Sequence, residues 1–248
     1  MDEVIDLAYS TIPKTSFEDP VKDISTNLPF GVSLLQVVSE ASVRKMVIIS
    51  SGGTIYGEPI SVPISEGQPT NPVSPYGITK LALEKYALMF HHSNKLPVVI
   101  VRPGNAFGEW QKPFSGQGFI ATAIVSILEQ KEITIFGKHG TVRDYVYVKD
   151  IVRGIASALD KGIPGHCYNI GSGIGRTNSD VLNTIYPLAK AVGFNPKIRI
   201  LPSRKFDVSV NVLDSKKLMD ETGWRISVTF EDAIKKTWDW FYDKYKAV

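Results

Sequence analysis

The sequence contains a single cysteine, Cys167, among its 248 residues. One cysteine cannot form a disulfide within the chain, and the surrounding stretch GHCYNIGSG lacks the cluster of Cys and His residues that a structural metal site needs. Cys167 is better explained as a small buried hydrophobic residue than as a nucleophile. A chain without disulfides fits a reducing, cytoplasmic setting.

Long apolar segments and runs of like charge are also lacking. The net charge is only +3 and no basic cluster stands out, which argues against a nucleic-acid partner. No uninterrupted apolar stretch approaches the length of a membrane span, and the first residues, MDEVIDLAYS, do not have the pattern of a signal peptide. The sequence therefore predicts neither membrane insertion nor export. Its length and its 43% hydrophobic residues suffice for a buried core.

Short apolar runs rich in β-branched residues alternate with helical patterns in the first part of the chain. EVIDLAY, RKMVIISS and LPVVIVRPG have the composition of strands, whereas FGVSLLQVVSEAS and the segment from Tyr76 to about Asn94 have the spacing of helices. Each strand is almost continuously apolar, as expected when both faces of a sheet are covered. The order predicts a parallel α/β sheet.

The pattern changes after Gly108, where helical stretches and shorter strands are separated by loops dense in Pro, Gly and Ser. We interpret residues 1–108 as the sheet core and residues 109–248 as mainly a smaller lobe, with some segments returning to the first sheet. Amphipathic helices are expected at SDVLNTIYPLAKAVG and FEDAIKKTWDWFYDKY.

The stretch SPYGITK places Tyr76 four residues before Lys80 at a predicted helix start, because Pro75 suits the first turn of a helix. Residues four apart touch on any helix, so the pair alone is weak evidence of chemistry. An isolated tyrosine, with a pKa near 10, is a poor base at neutral pH. A neighbouring ammonium group stabilises the phenolate and lowers that pKa.

Polar clusters follow the carboxyl ends of three predicted strands: SSGGTIYG after MVII, RPGNAFG after VVIV, and GSGIGR after YNI. Ligands of open parallel sheets bind at such ends. Any one cluster could be a simple strand-to-loop transition, but three of them beside Tyr76 and Lys80 favour a site. A hydroxyl, a tyrosine and a lysine together suit removal of a proton from an alcohol while a hydride leaves the same carbon. That hydride needs a nicotinamide cofactor.

The order of these elements, followed by GTVRDYVYVKDI, YNIGSG and RKFDVSVNVLDSKKLMDETGW, resembles an extended short-chain dehydrogenase/reductase. Within that superfamily the chain is most similar to the nucleotide-sugar epimerase/dehydratase group, of the UDP-glucose 4-epimerase type, from Val4 to about Tyr242. The resemblance implies a Rossmann-type parallel sheet with a smaller C-terminal α+β substrate lobe. It also implies NAD as the cofactor and epimerisation of a UDP-hexose or UDP-N-acetylhexosamine at C4 through a 4-keto intermediate.

The resemblance also implies the catalytic residues. Tyr76 would be the general base, and Lys80 would lower its pKa and hold the nicotinamide ribose. The third position falls on Ser51 when counted from the strand RKMVIIS, and on Gly52 when counted back from the later Tyr-Gly pair. We prefer Ser51, because strand register shifts less readily than loop length, and keep Thr54 in reserve.

The dehydratase subgroup carries an Asp-Glu pair directly after this hydroxyl. Here Gly52 and Gly53 stand there instead, so dehydration is disfavoured.

The remaining binding residues are carried over from the same resemblance. On the substrate side, Asn105 would bind a phosphate, Thr134 and Phe136 would line the base, and Arg143 and Arg204 would grip the diphosphate, a geometry that guanidinium groups suit. Asp207 would accept a hydrogen bond from the ribose or sugar, and Asn211 would gate the C2 substituent, its modest size leaving N-acetylated sugars possible. The expected cofactor-binding residues are Ala8, Asn27, Ser50, Tyr76, Lys80 and Pro103.

The glycine-rich turn that binds the dinucleotide pyrophosphate in this family is not found in the sequence. The resemblance therefore implies that VIDLAY is the family's fourth strand, that it forms an exposed apolar edge, and that catalysis by this chain is poor or absent. Such an edge invites pairing with another chain.

Family members dimerise through the helix that carries the tyrosine and the helix before RKMVIIS, so a homodimer is expected. Two alternatives remain open. One is a non-catalytic fragment that binds nucleotide sugars, and the other is a 4-keto reductase or dehydratase relative.

Overall fold

The computed structural model describes residues 2–202 and 208–246. The strands are β1 (Glu3–Asp6), β2 (Lys45–Ile49), β3 (Val98–Pro103), β4 (Asn105–Phe107), β5 (Glu132–Phe136), β6 (Val142–Tyr147), β7 (Cys167–Ile170), β8 (Gly175–Arg176), β9 (Lys197–Leu201) and β10 (Val210–Asn211). The helices are α1 (Pro13–Glu18), α2 (Pro20–Glu40), α3 (Pro75–Asn94), α4 (Phe119–Leu128), α5 (Val148–Lys161), α6 (Asn178–Ala191), α7 (Lys216–Thr222) and α8 (Phe230–Lys246).

The main sheet is parallel throughout, with the strand order β1-β2-β3-β7. Helices cover both of its faces, which explains why its central strands are almost continuously apolar. Met46, Ile48 and Ile100 pack with residues of α2 and α3 on one face. Val47 and Val99 pack with residues of α5 and α7 on the other. The predicted parallel α/β fold is confirmed.

The later strand β7 returns to the main sheet and pairs with β3 along Ile100–Pro103. A second lobe after β3 contains two small sheets, β10-β6-β4 with β8 attached and β5-β9, whereas α5 and α7 pack on the main sheet. The core of the second lobe lies among α4, α6 and α8 and includes Ile124, Ile135 and Trp238. The two lobes are therefore interleaved along the chain.

Strand β1 ends the main sheet on one side, since its described backbone partner is β2 alone. Ile5 is 40% exposed and Leu7, just after the strand, is 71% exposed. The predicted apolar edge is thus present in the described part of the chain. Within that part, no helix is both long and apolar enough to cross a membrane.

Helix α2 begins at Pro20, well before the predicted start at Phe30. The polar stretch KDISTN and the internal Pro29 hid the first turns. The start is nevertheless well formed, because the Asp19 side chain accepts a hydrogen bond from Lys22 N at 2.9 Å and Pro20 occupies the first turn.

Candidate active site

A cavity of about 1140 Å³ opens at the carboxyl ends of β2 and β3 and is closed on the far side by the second lobe. Ser50 and Ser51 follow β2, while Pro103 and Asn105 follow β3. The volume exceeds that of most small-molecule pockets. Two of the three predicted strand-end clusters therefore meet at one site.

The third cluster, GSGIGR after β7, does not line this cavity. It binds a buried carboxylate instead: Ser172 N and Oγ donate to Asp144 Oδ1 at 2.8 and 2.6 Å, and Gly173 N donates to Asp144 Oδ2 at 3.2 Å. Asp144 is fully buried, so these donors are needed to compensate for its burial. The cluster has a structural partner, and the prediction that it lies at the ligand site is not borne out.

Tyr76 lies in the first turn of α3 and faces the cavity. The turn is fixed from two sides, because the N-cap Ser74 accepts a hydrogen bond from Gly77 N at 3.1 Å and Tyr76 N donates to Ser16 Oγ of α1 at 3.1 Å. The phenol therefore sits on a rigid helix start at the carboxyl edge of the sheet.

The surroundings of Tyr76 do not lower its pKa as expected from the sequence. Burial, together with the negative charge of Asp23, raises the pKa of Tyr76 to about 12. The Lys80 ammonium does not offset these effects, since its nitrogen lies 5.8 Å from the centroid of the Tyr76 ring.

Lys80, one turn further along α3, directs its ammonium group elsewhere. Its Nζ donates to the carbonyl oxygen of Ile49 at 2.8 Å and lies 3.8 Å from the ring centroid of Tyr9. Burial lowers the pKa of Lys80 to about 8, against the charges of nearby carboxylates that raise it. The predicted Tyr-Lys pair thus lines one cavity, but its lysine contacts a residue that the sequence did not point to.

Ser51 lines the cavity, whereas Gly52 does not. A Cβ atom at Gly52 would lie 2.5 Å from Cδ1 of Leu213 and 2.8 Å from the carbonyl oxygen of Arg102, so this position faces the packed interior. Of the two sequence registers, the strand-based one places a hydroxyl at the site. Thr54, the reserve candidate, also lines the cavity.

The substrate-side predictions divide into three groups. Asn105, Thr134, Phe136 and Arg143 line the cavity. Arg204 and Asp207 lie outside the described residues. Asn211 does not line the cavity: it is 1% exposed, and its Nδ2 donates to the carbonyl oxygen of Gly52 at 3.0 Å. Its predicted role as a gate at sugar C2 finds no support, because it lies behind the cavity wall.

Ala8 and Asn27, predicted on the cofactor wall, do not line the cavity either. The Asn27 amide is used within the protein, since its Oδ1 accepts from Ser10 N at 2.9 Å and its Nδ2 donates to Thr11 Oγ1 at 3.0 Å. Asn27 therefore ties the segment after β1 to α2. Ser50 and Pro103, from the same prediction, do line the cavity.

Tyr9 and Asp23 belong to the site but were not identified from the sequence. Tyr9 closes the predicted strand EVIDLAY, and its position after a strand end was an available signal. Asp23 is fully buried in α2 and accepts a hydrogen bond from Thr79 Oγ1 at 2.6 Å. Nothing in the local pattern marks Asp23, because its role depends on α2 packing against α3.

The loop 108–118 also lines the cavity. It includes two non-glycine residues with positive φ, Trp110 at 69° and Phe114 at 56°. Gln111 donates from Nε2 to the carbonyl oxygen of Ala106 at 2.9 Å, while its Oε1 is buried without a hydrogen-bond partner. The loop therefore forms part of the cavity wall on the side of the second lobe.

A buried network supports α3 from the sheet side. Arg102, on β3, donates from Nε and Nη2 to the two carboxylate oxygens of Glu84 at 2.9 and 2.6 Å, and from Nη1 to the Tyr56 hydroxyl at 2.9 Å. That hydroxyl in turn donates to Asn169 Oδ1 of β7 at 2.8 Å. Glu84 lies one turn beyond Lys80, so the network fixes the face of α3 that carries Lys80.

Two hydroxyl groups of the cavity wall are buried without a partner in the part of the protein that the structure describes. Within the described residues, Ser50 Oγ and Thr54 Oγ1 are buried without hydrogen-bond partners. Buried hydroxyls rarely stay unpaired. Beside Tyr76 and Lys80, these groups fit the ribose and nicotinamide end of a dinucleotide. A glycine-rich turn for the pyrophosphate is not found in the sequence.

A parallel sheet with a tyrosine, a lysine and strand-end hydroxyls on one cavity defines a dehydrogenase-type nucleotide-binding enzyme. The model of the NAD-dependent epimerase/dehydratase family matches residues 1–171. A UDP-glucose 4-epimerase of Mycolicibacterium smegmatis is 33% identical over 241 residues, which is 97% of this chain and 76% of that protein.

Solved structures agree with this. The UDP-glucose 4-epimerase of Thermotoga maritima, determined with UDP-glucose, superposes with a TM-score of 0.91 at 33% identity, covering 98% of this chain and 78% of that one. The UDP-glucose 4-epimerase of Thermus thermophilus, in complex with NAD, gives a TM-score of 0.88 at 36% identity, covering 97% and 77%. The chain belongs to the NAD-dependent epimerase/dehydratase family, whose cofactor is NAD.

Proposed function

We propose that this protein binds a nucleotide sugar in the cavity and, with NAD, inverts the configuration at C4 of the sugar through a 4-keto intermediate. The observation that carries the proposal is the position of Tyr76, Lys80 and Ser51 on one cavity at the carboxyl ends of β2 and β3. The substrate class is a UDP-hexose or UDP-N-acetylhexosamine. A cytoplasmic setting is part of the proposal.

The proposed roles follow from the chemistry of the side chains. Tyr76 takes the proton of the C4 hydroxyl when the sugar is oxidised and returns it when the sugar is reduced. Ser51 hydrogen-bonds the same oxygen and holds it beside the phenol. Lys80 would donate to a ribose hydroxyl of the cofactor. When bound, NAD would supply the hydride acceptor, and its positive charge would favour the phenolate form of Tyr76.

On the substrate side, Asn105 and Arg143 bind the diphosphate, because amide and guanidinium groups are strong donors to phosphate oxygens. Thr134 and Phe136 of β5 contact the base. Arg204 and Asp207 complete this proposal from sequence resemblance alone. Turnover by this chain is expected to be low, because its sequence offers no glycine-rich turn for the pyrophosphate.

Tyr76→Phe is the variant that tests the function. It removes the proton-transferring hydroxyl and keeps the ring, so turnover should fall by about 10²- to 10⁴-fold, the usual contribution of a general base. The measurement is conversion of UDP-glucose to UDP-galactose in the presence of NAD. A separate portion of the purified protein is denatured, and the released material is analysed for NAD(H) by absorbance and mass.

Tyr245→Phe is the matched control, since Tyr245 lies on α8, is 39% exposed and does not line the cavity. Full activity of Tyr76→Phe would refute the catalytic assignment. Nucleotide-sugar binding without turnover at saturating NAD would favour a non-catalytic binding protein. Stoichiometric consumption of added NADH or NADPH with a 4-keto sugar would instead favour a reductase.

We also propose a homodimer formed through the outer sides of α2 and α3. Phe30 and Val37 on α2 are 54% and 62% exposed, and Tyr86 and Met89 on α3 are 41% and 42% exposed. Several exposed apolar side chains on two adjacent helices form a surface that is suited to burial against a second copy of the chain.

A further inference from the structure

Tyr9 lies between β1 and α1 and contacts both members of the Tyr76–Lys80 pair. Its ring meets the Tyr76 ring edge to face, with centroids 5.0 Å apart and an interplanar angle of 72°. The same Tyr9 ring also contacts Lys80, whose Nζ lies 3.8 Å from the ring centroid. The lysine is therefore closer to Tyr9 than to the tyrosine it is proposed to assist.

The Lys80 ammonium is almost completely enclosed. The residue is only 6% exposed, and one of its three donors is taken by the carbonyl oxygen of Ile49. Tyr9 lines the cavity and lies against the same group. Lys80 and Tyr9 both line the cavity, so the Tyr9 ring and a ligand hydroxyl would compete for the same ammonium.

The contact has a physical reason in the protein without ligand. Burying an ammonium group is costly, and within the described residues no carboxylate forms an ion pair with Lys80. The negative face of an aromatic ring compensates part of that cost through a cation–π interaction. Tyr9 thus takes the place of a partner that a polar ligand could also provide.

The backbone next to Tyr9 is held on one side, so displacement of the ring would have to come from the side chain. The next residue is fixed, since Ser10 N donates to Asn27 Oδ1 at 2.9 Å and Ser10 Oγ donates to the same atom at 2.9 Å. On the other side, Leu7 is 71% exposed and packs little. Release of Lys80 therefore requires a rotation of the Tyr9 side chain between staggered rotamers.

We propose that Tyr9 is a displaceable cover on Lys80, and that its ring must swing off the ammonium before the ribose of a dinucleotide can hydrogen-bond there. That the ligand is a dinucleotide rests on the proposed function, whereas the contact between Tyr9 and Lys80 is independent of it. Because only the uncovered form binds, the apparent affinity for NAD is reduced by the fraction of protein that is covered.

The cover is tested first without any ligand. Wild type, Tyr9→Ala, Tyr9→Phe and Tyr245→Ala are treated briefly with acetic anhydride, and the labelling rate of each lysine is measured by peptide mass spectrometry. Lys80 is compared with exposed Lys85 on the same helix. The Lys80 rate should rise about tenfold in Tyr9→Ala, the order expected for loss of a desolvated cation–π contact. The Lys80 labelling rate should stay unchanged in Tyr9→Phe and in the control variant on α8.

Lys45 detects general loosening, because it is 8% exposed and lies at the start of β2, away from the cavity. An equal rise at Lys45 would overturn the proposal, since the variant would then have lost packing rather than a cover. An unchanged Lys80 rate in Tyr9→Ala would also overturn it.

NADH binding, followed by the change in cofactor fluorescence, gives the second readout. Tyr9→Ala should bind about tenfold tighter than wild type and Tyr9→Phe equally well, and the gain should vanish in a Lys80→Met background. Weaker binding by Tyr9→Ala would overturn the proposal, because the ring would then support the cofactor. If Lys80 labelling rises but no variant binds NADH, the cover stands and the proposed function fails.

Discussion

At the scale of single residues, Lys80 makes the stability of the protein depend on pH. Its pKa is about 8 in the fold because of burial, against an ordinary value of 10.5. Between these two values the unfolded chain binds a proton that the folded chain does not, so the free energy of unfolding rises with pH.

We therefore expect Lys80 to contribute about 1–3 kcal/mol of added stability as the pH is raised from about 7.5 to about 9.5. Urea unfolding at several pH values, compared between wild type and Lys80→Met, measures this term. The rise should be smaller in Lys80→Met, while the contribution of the other buried lysine, Lys45, is common to both proteins. Parallel curves for the two proteins would show that Lys80 titrates normally.

The residues at the site were predictable where their role follows from strand ends. Tyr76, Ser51, Ser50 and Asn105 reach the cavity because parallel strands carry their following residues to one edge. Tyr9 escaped notice because its importance comes from a contact with Lys80, far away in sequence.

The amide side chains of Asn27 and Asn211, predicted at the site, do not line the cavity and form hydrogen bonds within the protein instead. A polar residue beside a motif can equally well satisfy the backbone of a neighbouring element, and only packing decides which.

At the scale of secondary-structure elements, the ion pair between Arg102 and Glu84 joins β3 to α3. Both side chains are buried, at 7% and 1% exposure, and two hydrogen bonds connect them. Removing one partner of such a pair leaves an uncompensated buried charge, which is far more costly than removing both.

Arg102→Met should therefore lower the free energy of unfolding by about 3–5 kcal/mol, and Arg102→Met combined with Glu84→Leu by much less. Urea unfolding measures both changes. Lys235→Met, which breaks an exposed pair with Asp239 on α8, is the matched control and should cost less than about 1 kcal/mol. Equal losses for Arg102→Met and Lys235→Met would show that the buried pair is not what joins the two elements.

Most elements were predictable from periodicity and β-branched composition, including α3, β2 and β3. The first turns of α2 were not, because polar residues that become buried against α1 and α3, such as Asp23 and Asn27, break the apolar period. Helix α1 is too short for periodicity to mark it.

At the scale of the whole molecule, the exposed apolar sides of α2 and α3 predict how two copies would associate. Phe30→Glu places a charge on the exposed apolar side of α2 and should raise the dimer dissociation constant about thirtyfold or more, as loss of a central apolar contact does. Analytical ultracentrifugation over a range of concentrations measures it.

Val152→Glu, an equally exposed position on α5, is the control for the added charge. An unchanged dissociation constant in Phe30→Glu, or a protein that is monomeric at all concentrations, would contradict the proposed interface.

The sequence predicts that some later segments return to the first sheet, but it does not indicate which ones. The stretch HCYNIGSG has the composition of a strand in either lobe, and its pairing with β3 is set by α5 crossing the face of the sheet. Local composition carries no information on which edge a strand joins.

The return of β7 to the main sheet also governs how the protein forms during its synthesis. When β3 leaves the ribosome, its edge remains open until β4, β5, β6 and helices α4 and α5 have been made. Arg102 can pair with Glu84 early, but the Tyr56 hydroxyl obtains its Asn169 partner only at the end of that interval. Nascent chains halted before β7 should therefore expose an unpaired apolar strand, and chaperone capture should be strongest at those lengths.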